Sequence, residues 1–236
     1  ARVDVGSLVA STLDIITEDF MAGNYRFAGD SSNAIINQGN ITTTQGGVVA
    51  MIATRIINTG NITTPEGGTL MGAGSKVVLD LGGPLSIEVE EAQLETYIEQ
   101  GGAIRADGGL VYLTAKAASE LTASVINHTG ITQAQTLAAG KDGRIMLMGD
   151  MQSGTVQVAG TLDASAPNSG NGGFIETSAA KVSIDDVQVT TKAENGETGE
   201  WLIDPNDYTI AAIGGDITGA QLGTNLANNN ITIQSV

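Results

Sequence analysis

Cysteine is absent from the 236 residues. No disulfide frame, thiolate metal site or cysteine nucleophile is therefore available. A single histidine, His128, excludes a multi-histidine metal centre and argues against a Ser-His-Asp triad. Aromatic residues make up 3% of the chain and proline occurs four times. Cations are scarce too: Lys and Arg number 10 against 26 Asp and Glu, for a net charge of −16. Nucleic acids and anionic membranes need clustered cations to displace counterions, so neither is an expected partner. The apolar runs fall far short of a membrane span. No basic stretch followed by an apolar one opens the chain, so no signal peptide is read at its start.

What is present points to a class. Glycine occurs 32 times and 41% of residues are hydrophobic, mostly Ala, Val, Ile and Leu. Such a chain can bury a core and is not disordered. It must pack that core with aliphatic stacks joined by tight turns, since large rings are lacking.

The chain also repeats. Residues 35–43 read Ile-Ile-Asn-Gln-Gly-Asn-Ile-Thr-Thr and residues 56–64 read Ile-Ile-Asn-Thr-Gly-Asn-Ile-Thr-Thr. A Gly-Gly pair follows each at the same distance, Gly46-Gly47 and Gly67-Gly68. Looser copies run through Gly108-Gly109 to Val125–Thr132, Gly143 to Ala164, and Gly172-Gly173 to Ile184. The unit reads strand, turn, strand, glycine, strand, Gly-Gly turn. A unit this short without a helix cannot cover its own apolar face, but it can by winding into a coil and stacking on its neighbours. The expected fold is all-β, a parallel β-helix (solenoid) of roughly eight to ten coils and about 40 Å at the interstrand spacing. A β-sandwich is the structural alternative, but its strands would not repeat a nonapeptide nearly verbatim. Val48, Ala50 and Ile52, like Ile145 and Leu147, alternate so that one side chain points inward and the next outward. Ile35, Ile41, Ile56, Ile62, Ile126 and Ile131 are the expected core.

Two segments interrupt the pattern. Residues 87–100, rich in Glu, read as a short helix or an excursion between coils. Residues 12–27 hold Phe20, Tyr25 and Phe27 and read as an excursion whose rings pack on the side of the rod. Residues 1–200 are read as the β-helix and 201–236 as a C-terminal extension or final coil and cap. Trp201 is placed outside the regular coils, and Ile231, Ile233 and Val236 as a final strand.

Three stretches carry a resemblance: Arg2-Val3-Asp4-Val5-Gly6-Ser7-Leu8-Val9-Ala10-Ser11-Thr12, residues 19–27 (Asp-Phe-Met-Ala-Gly-Asn-Tyr-Arg-Phe), and Trp201-Leu202-Ile203-Asp204-Pro205. Over roughly residues 1–210 the chain resembles filamentous-haemagglutinin-like exoproteins, the secreted adhesins of two-partner secretion systems. The resemblance implies a right-handed β-helix, export through an outer-membrane β-barrel transporter, and folding at a Gram-negative cell surface. That family carries Asn-Pro-Asn motifs upstream of the Val-Asp-Val-Gly segment. Here the Pro-Asn steps stand at 167–168 and 205–206. The chain is therefore expected to begin inside the secretion domain, with an open edge at Val3-Asp4-Val5 that promotes end-to-end self-association.

Each candidate site has a plain reading beside it. Asn37, Asn58 and Asn127, with Gly46, Gly47, Gly67 and Gly68, are read as structural repeat positions, the asparagines stacked as a hydrogen-bonded ladder. Their functional reading is a polar row for a glycan. Asn-x-Thr sequons at Asn40, Asn61, Asn127 and Asn230 are candidate sites for glycosylation, although chance and repeat copying explain them better. Thr42-Thr43-Thr44 and Thr63-Thr64 would line an outward face suited to ice or crystalline polysaccharide, or serve simply as strand residues. Calcium-repeat and EF-hand loops are absent. Asp204 and Asp207 read as an Asx-turn, and Glu88, Glu90, Glu91, Glu95 and Glu99 as a solvated face. Asp185-Asp186 are placed on opposite strand faces, which leaves no carboxylate pair for glycan cleavage. No cofactor and no metal are expected. The function expected is a non-catalytic stalk and secretion module whose receptor is a host-cell or matrix glycan or protein. The alternative is a carbohydrate-active β-helix enzyme, a polysaccharide lyase or glycosidase.

Overall fold

The computed structural model describes residues 1–235 except 93, 117, 119–123 and 139. Val236 and Gln93 lie outside the described residues. The described residues are all-β, with mostly parallel strands in curled sheets and two short helices, Thr17–Met21 and Gly219–Leu226. One coil illustrates the build. Arg55–Asn58 and Asn61–Thr63 both join an eleven-stranded sheet, and Gly68–Ala73 joins an eight-stranded one. The next coil repeats this with Thr96–Gln100, Ala103–Arg105 and Leu110–Ala115, each parallel to its counterpart and in register with it. Eight strands in the second sheet span about 34 Å at the spacing of parallel neighbours. The architecture is β-helix-like.

Columns of aliphatic side chains form the core. Ile35, Ile56, Ile98, Ile126, Val156 and Val182 stack in register, as do Ile41, Ile62, Ile104, Thr132, Leu162 and Val189. All are buried except Ile35, which is only partly covered because its strand ends the sheet. Ile131 is not a core residue. It is 43% exposed, while Thr132 takes the inward place. Trp201 is fully buried within the regular stack rather than outside it. It pairs in register with Ile175, and its indole Nε1 donates to Thr177 Oγ1 at 3.2 Å.

Glycine sets both corners. Gly39, Gly60, Gly102, Gly130 and Gly160 stack between the two strands of the first sheet. Gly47, Gly67, Gly109, Gly143, Gly173 and Gly199 precede the strands of the second sheet, each carbonyl of one coil accepting from the amide that follows the glycine of the next. A Cβ on Gly67 would land on the Gly47 carbonyl, so no larger residue fits. The two Gly-Gly pairs do not match as pairs. Val48 registers with Gly68, so Gly47 stacks with Gly67 and Glu66 takes the place of Gly46. Glu66 accordingly has φ +53° where Gly46 has +77°.

The excursions meet in one antiparallel sheet of Asp14–Ile15, Tyr25–Ala28, Lys76–Asp80 and Ser86–Glu91. Segment 87–100 is thus not a helix: its first part is an excursion strand, and its second, Thr96–Gln100, belongs to the stack. The antiparallel sheet covers the outer face of the second sheet. Val48, Ala50 and Ile52 consequently face a second core with Phe27, Val77, Leu79 and Ile87, while Val49, Met51 and Ala53 face the coil interior. Phe20 is exposed and meets Tyr25 edge-on at 5.9 Å, so only part of the aromatic segment packs inward.

The two ends differ. The last strand of the first sheet, Lys181–Thr190, is covered by the helix Gly219–Leu226, which Thr218 and Gln221 start with a capping box. Asn225 Oδ1 accepts from the Val189 amide at 3.1 Å and Asn229 Nδ2 donates to the Val189 carbonyl at 2.8 Å. Side-chain amides thereby replace the absent neighbour strand. Among the described residues Asn230–Ile233, which ends the second sheet on this side, has a strand neighbour on one side only, as do Arg2–Val5, Leu8–Ser11 and Ala34–Asn37 at the opposite end.

Candidate functional site

The inward ladder forms two residues before each corner glycine of the first sheet. Asn37 Nδ2 donates to Asn58 Oδ1 at 2.8 Å, and Asn58 Nδ2 donates to Gln100 Oε1 at 2.7 Å. The next place belongs to His128, not Asn127. His128 is fully buried, with Nδ1 2.8 Å from the Ala159 carbonyl and Nε2 2.9 Å from Thr132 Oγ1. The carbonyl can only accept, so Nδ1 carries the proton and Nε2 accepts from the hydroxyl. Desolvation pushes its pKa down to about 4, against a smaller opposing effect of the Ala159 carbonyl. The imidazole is therefore neutral at pH 7, and both nitrogens are committed to the fold.

Asn127 faces outward, with Nδ2 3.5 Å from the Tyr97 hydroxyl. It registers with Gln157, which registers with Ser183. These residues and Asp185 line a groove of about 260 Å³ with Thr129, Val158 and Ala159. A bulge shapes its lower end. Ile184 pairs with Val158 and Val187 with Gly160, so Asp185 and Asp186 together oppose Ala159. Both are exposed at this bulge rather than sitting on opposite faces of a flat strand, and Asp186 has φ +46°. Sequence reading missed Gln157 and Ser183; their place in the strand alternation, counted from Val156 and Val182, would have found them.

The remaining residues are placed as follows. Asn40, Asn61 and Asn230 are exposed; Asn61 Nδ2 donates to Asn40 Oδ1 at 2.7 Å, and Asn230 Nδ2 to the Thr198 carbonyl at 2.7 Å. The outward threonine face does not exist: Thr43 and Thr64 are buried, and the row through Thr42 and Thr63 continues as Arg105, Gln133 and Asp163. Among the glutamates, Glu90 and Glu91 pair with Lys76 at 3.2 and 3.4 Å. Other outward rows are likewise internally bonded: Gln133 donates to Asp107 at 2.9 Å, Gln135 to Asp163 at 2.7 Å, and Gln45 to Glu66 at 2.6 Å. Lys141 also contacts Glu66, and that hydrogen bond holds the Glu66 carboxyl below the usual carboxylate range.

No protein-family model matches the chain, and no curated protein matches it. The structure is similar to the crystal structure of the HMW1 secretion domain from Haemophilus influenzae, with a TM-score of 0.55 and 20% sequence identity. The match covers 87% of this chain and 63% of that one, so this chain spans less than two thirds of its length. The likeness is one of fold.

Proposed function

We propose that this chain is part of the secretion and folding module of a two-partner secretion adhesin of the filamentous-haemagglutinin type. The observation that carries the reading is the fold shared with a secretion domain over 87% of the chain. The three motifs at residues 2–12, 19–27 and 201–205 add to it. In this reading the stack is a right-handed parallel β-helix that crosses the outer membrane unfolded, through a β-barrel transporter. It then winds up at the surface of a Gram-negative cell and stands there as a stiff stalk for a host-cell or matrix receptor.

Asn225 and Asn229 cap Val189 in the last strand of the first sheet, while strand edges at both ends, Arg2–Val5, Leu8–Ser11 and Ala34–Asn37 at one and Asn230–Ile233 at the other, can pair with a further coil or another molecule. End-to-end self-association through Arg2–Val5 is part of the proposal, and sedimentation over a concentration series reads it. We assign no catalysis: the only histidine is spent on the Ala159 carbonyl and Thr132, and cannot shuttle protons.

The test is export. The chain is expressed behind a cleavable leader in a Gram-negative host, with and without a co-expressed outer-membrane barrel transporter of the two-partner secretion type. Arrival outside the cell only when the barrel is present is the expected result. Equal arrival without it overturns the reading.

A further inference from the structure

We propose that the groove over Asn127, Gln157, Ser183 and Asp185 binds a linear, uncharged oligosaccharide. This inference stands apart from the secretion reading. Several outward polar side chains elsewhere are spent on the protein itself, as in Asn61 with Asn40, Gln133 with Asp107 and Gln135 with Asp163. Among the described residues, the side chains of Gln157, Ser183 and Asp185 make no hydrogen bond and no ion pair, although they converge on one groove. A column of amide, amide and hydroxyl, one rung apart, offers donors and acceptors in alternation. That rung spacing is about 4.8 Å, close to the advance of one sugar ring along an extended glycan.

The site is also shaped and stiffened. Asp185 stands beside Ser183 by strand alternation, and the bulge turns Asp186 outward as well, in a left-handed backbone. Behind it, His128 grips the Ala159 carbonyl, so the strand that forms the floor is held from inside. Tyr97 extends the polar surface upward through its hydroxyl at Asn127.

Charge selects among glycans. A carboxylate lines the groove and no Lys or Arg does, in a chain of net charge −16. Sulfated and uronate chains are repelled, whereas the hydroxyls of a neutral sugar donate to Asp185 and exchange hydrogen bonds with Gln157 and Asn127.

The experiment is an NMR titration of the whole chain with maltohexaose, cellohexaose and chitohexaose, and with a heparin hexasaccharide as the acidic arm. At least one neutral hexasaccharide should saturably shift the side-chain amides of Asn127 and Gln157. Gln157→Ala and Asp185→Asn should each weaken that binding about tenfold, the effect of one lost hydrogen bond. Asn61→Ala, on another row, should leave it unchanged. Asp185→Asn keeps the shape of the bulge and reads the site even if Gln157→Ala misfolds. Absence of binding by all three neutral hexasaccharides overturns the proposal. So do shifts that map elsewhere, and so does preferential binding of the heparin fragment.

Discussion

Gly67→Ala tests the corner geometry. A Cβ at this position overlaps the Gly47 carbonyl oxygen and lies 2.9 Å from the Gly47 carbonyl carbon and 3.0 Å from that of Gly46. These are backbone atoms, so no side chain can rotate away. Relief requires the two coils to part at the corner. That separation breaks the bond from the Gly68 amide to the Gly47 carbonyl, already 3.3 Å long. Overpacking costs about 1–3 kcal/mol, and a lost backbone hydrogen bond about 1 kcal/mol. Their sum is about 3 kcal/mol, which in a chain of this length lowers the melting temperature by about 6–12 °C. Gly46→Ala is the control. Gly46 has φ +77° and open space around its Cβ position, so that variant carries only left-handed strain, about 1 kcal/mol. Urea unfolding followed by circular dichroism gives both values. A Gly67→Ala protein as stable as the Gly46→Ala protein would refute the stacked-glycine corner.

Ile62→Asp should prevent folding, because an unpaired carboxylate in the dry column costs several kcal/mol; Ile36→Asp, at a 57% exposed outward position, should melt close to the parent. Asn58→Ala leaves Asn37 Nδ2 and Gln100 Oε1 without partners and should cost about 2–4 kcal/mol; a double-mutant cycle with Gln100→Ala should be strongly non-additive, and additivity would dissolve the ladder. His128 makes stability depend on pH. Its folded pKa of about 4 lies below the ordinary 6.5, so its full contribution is present above pH 6.5. As pH falls from 6.5 to 4 the unfolded chain takes up the proton first, and about 3 kcal/mol is lost over that window. His128→Gln should abolish this component of the pH dependence in urea unfolding, and an unchanged slope would contradict the burial of the ring.

The stack was legible because its repeat is nearly verbatim. Ile41 and Ile62 register directly, as identical nonapeptides require. What misled was alignment by residue identity where the physical anchor is the corner glycine. Counting back two residues from Gly39, Gly60, Gly102 and Gly130 finds Asn37, Asn58, Gln100 and His128. Matching asparagine to asparagine instead selects Asn127 and pushes Ile131 inward. The same count would have placed Trp201, which follows Gly199 as Ile175 follows Gly173. The paired inward threonines Thr43 and Thr64 were hidden because Thr suits either face of a strand. The groove was hidden for another reason. Its bulge at Asp185-Asp186 is a property of register between two long strands, Gly154–Asp163 and Lys181–Thr190, and no local pattern announces it.

Export coupled to folding is tested most directly by locking the stack before it leaves the cell. Asn61 and Ala103 face outward on adjacent parallel strands in register, at a separation that suits a disulfide. In a chain without cysteine, Asn61→Cys with Ala103→Cys forms a single defined lock in the oxidising periplasm. In cells carrying the transporter, the parent and the reduced double variant should reach the surface equally, while the oxidised variant stays in the periplasm with its coils closed. Surface arrival of the oxidised variant at the parental rate would contradict passage as an unfolded chain that winds up outside.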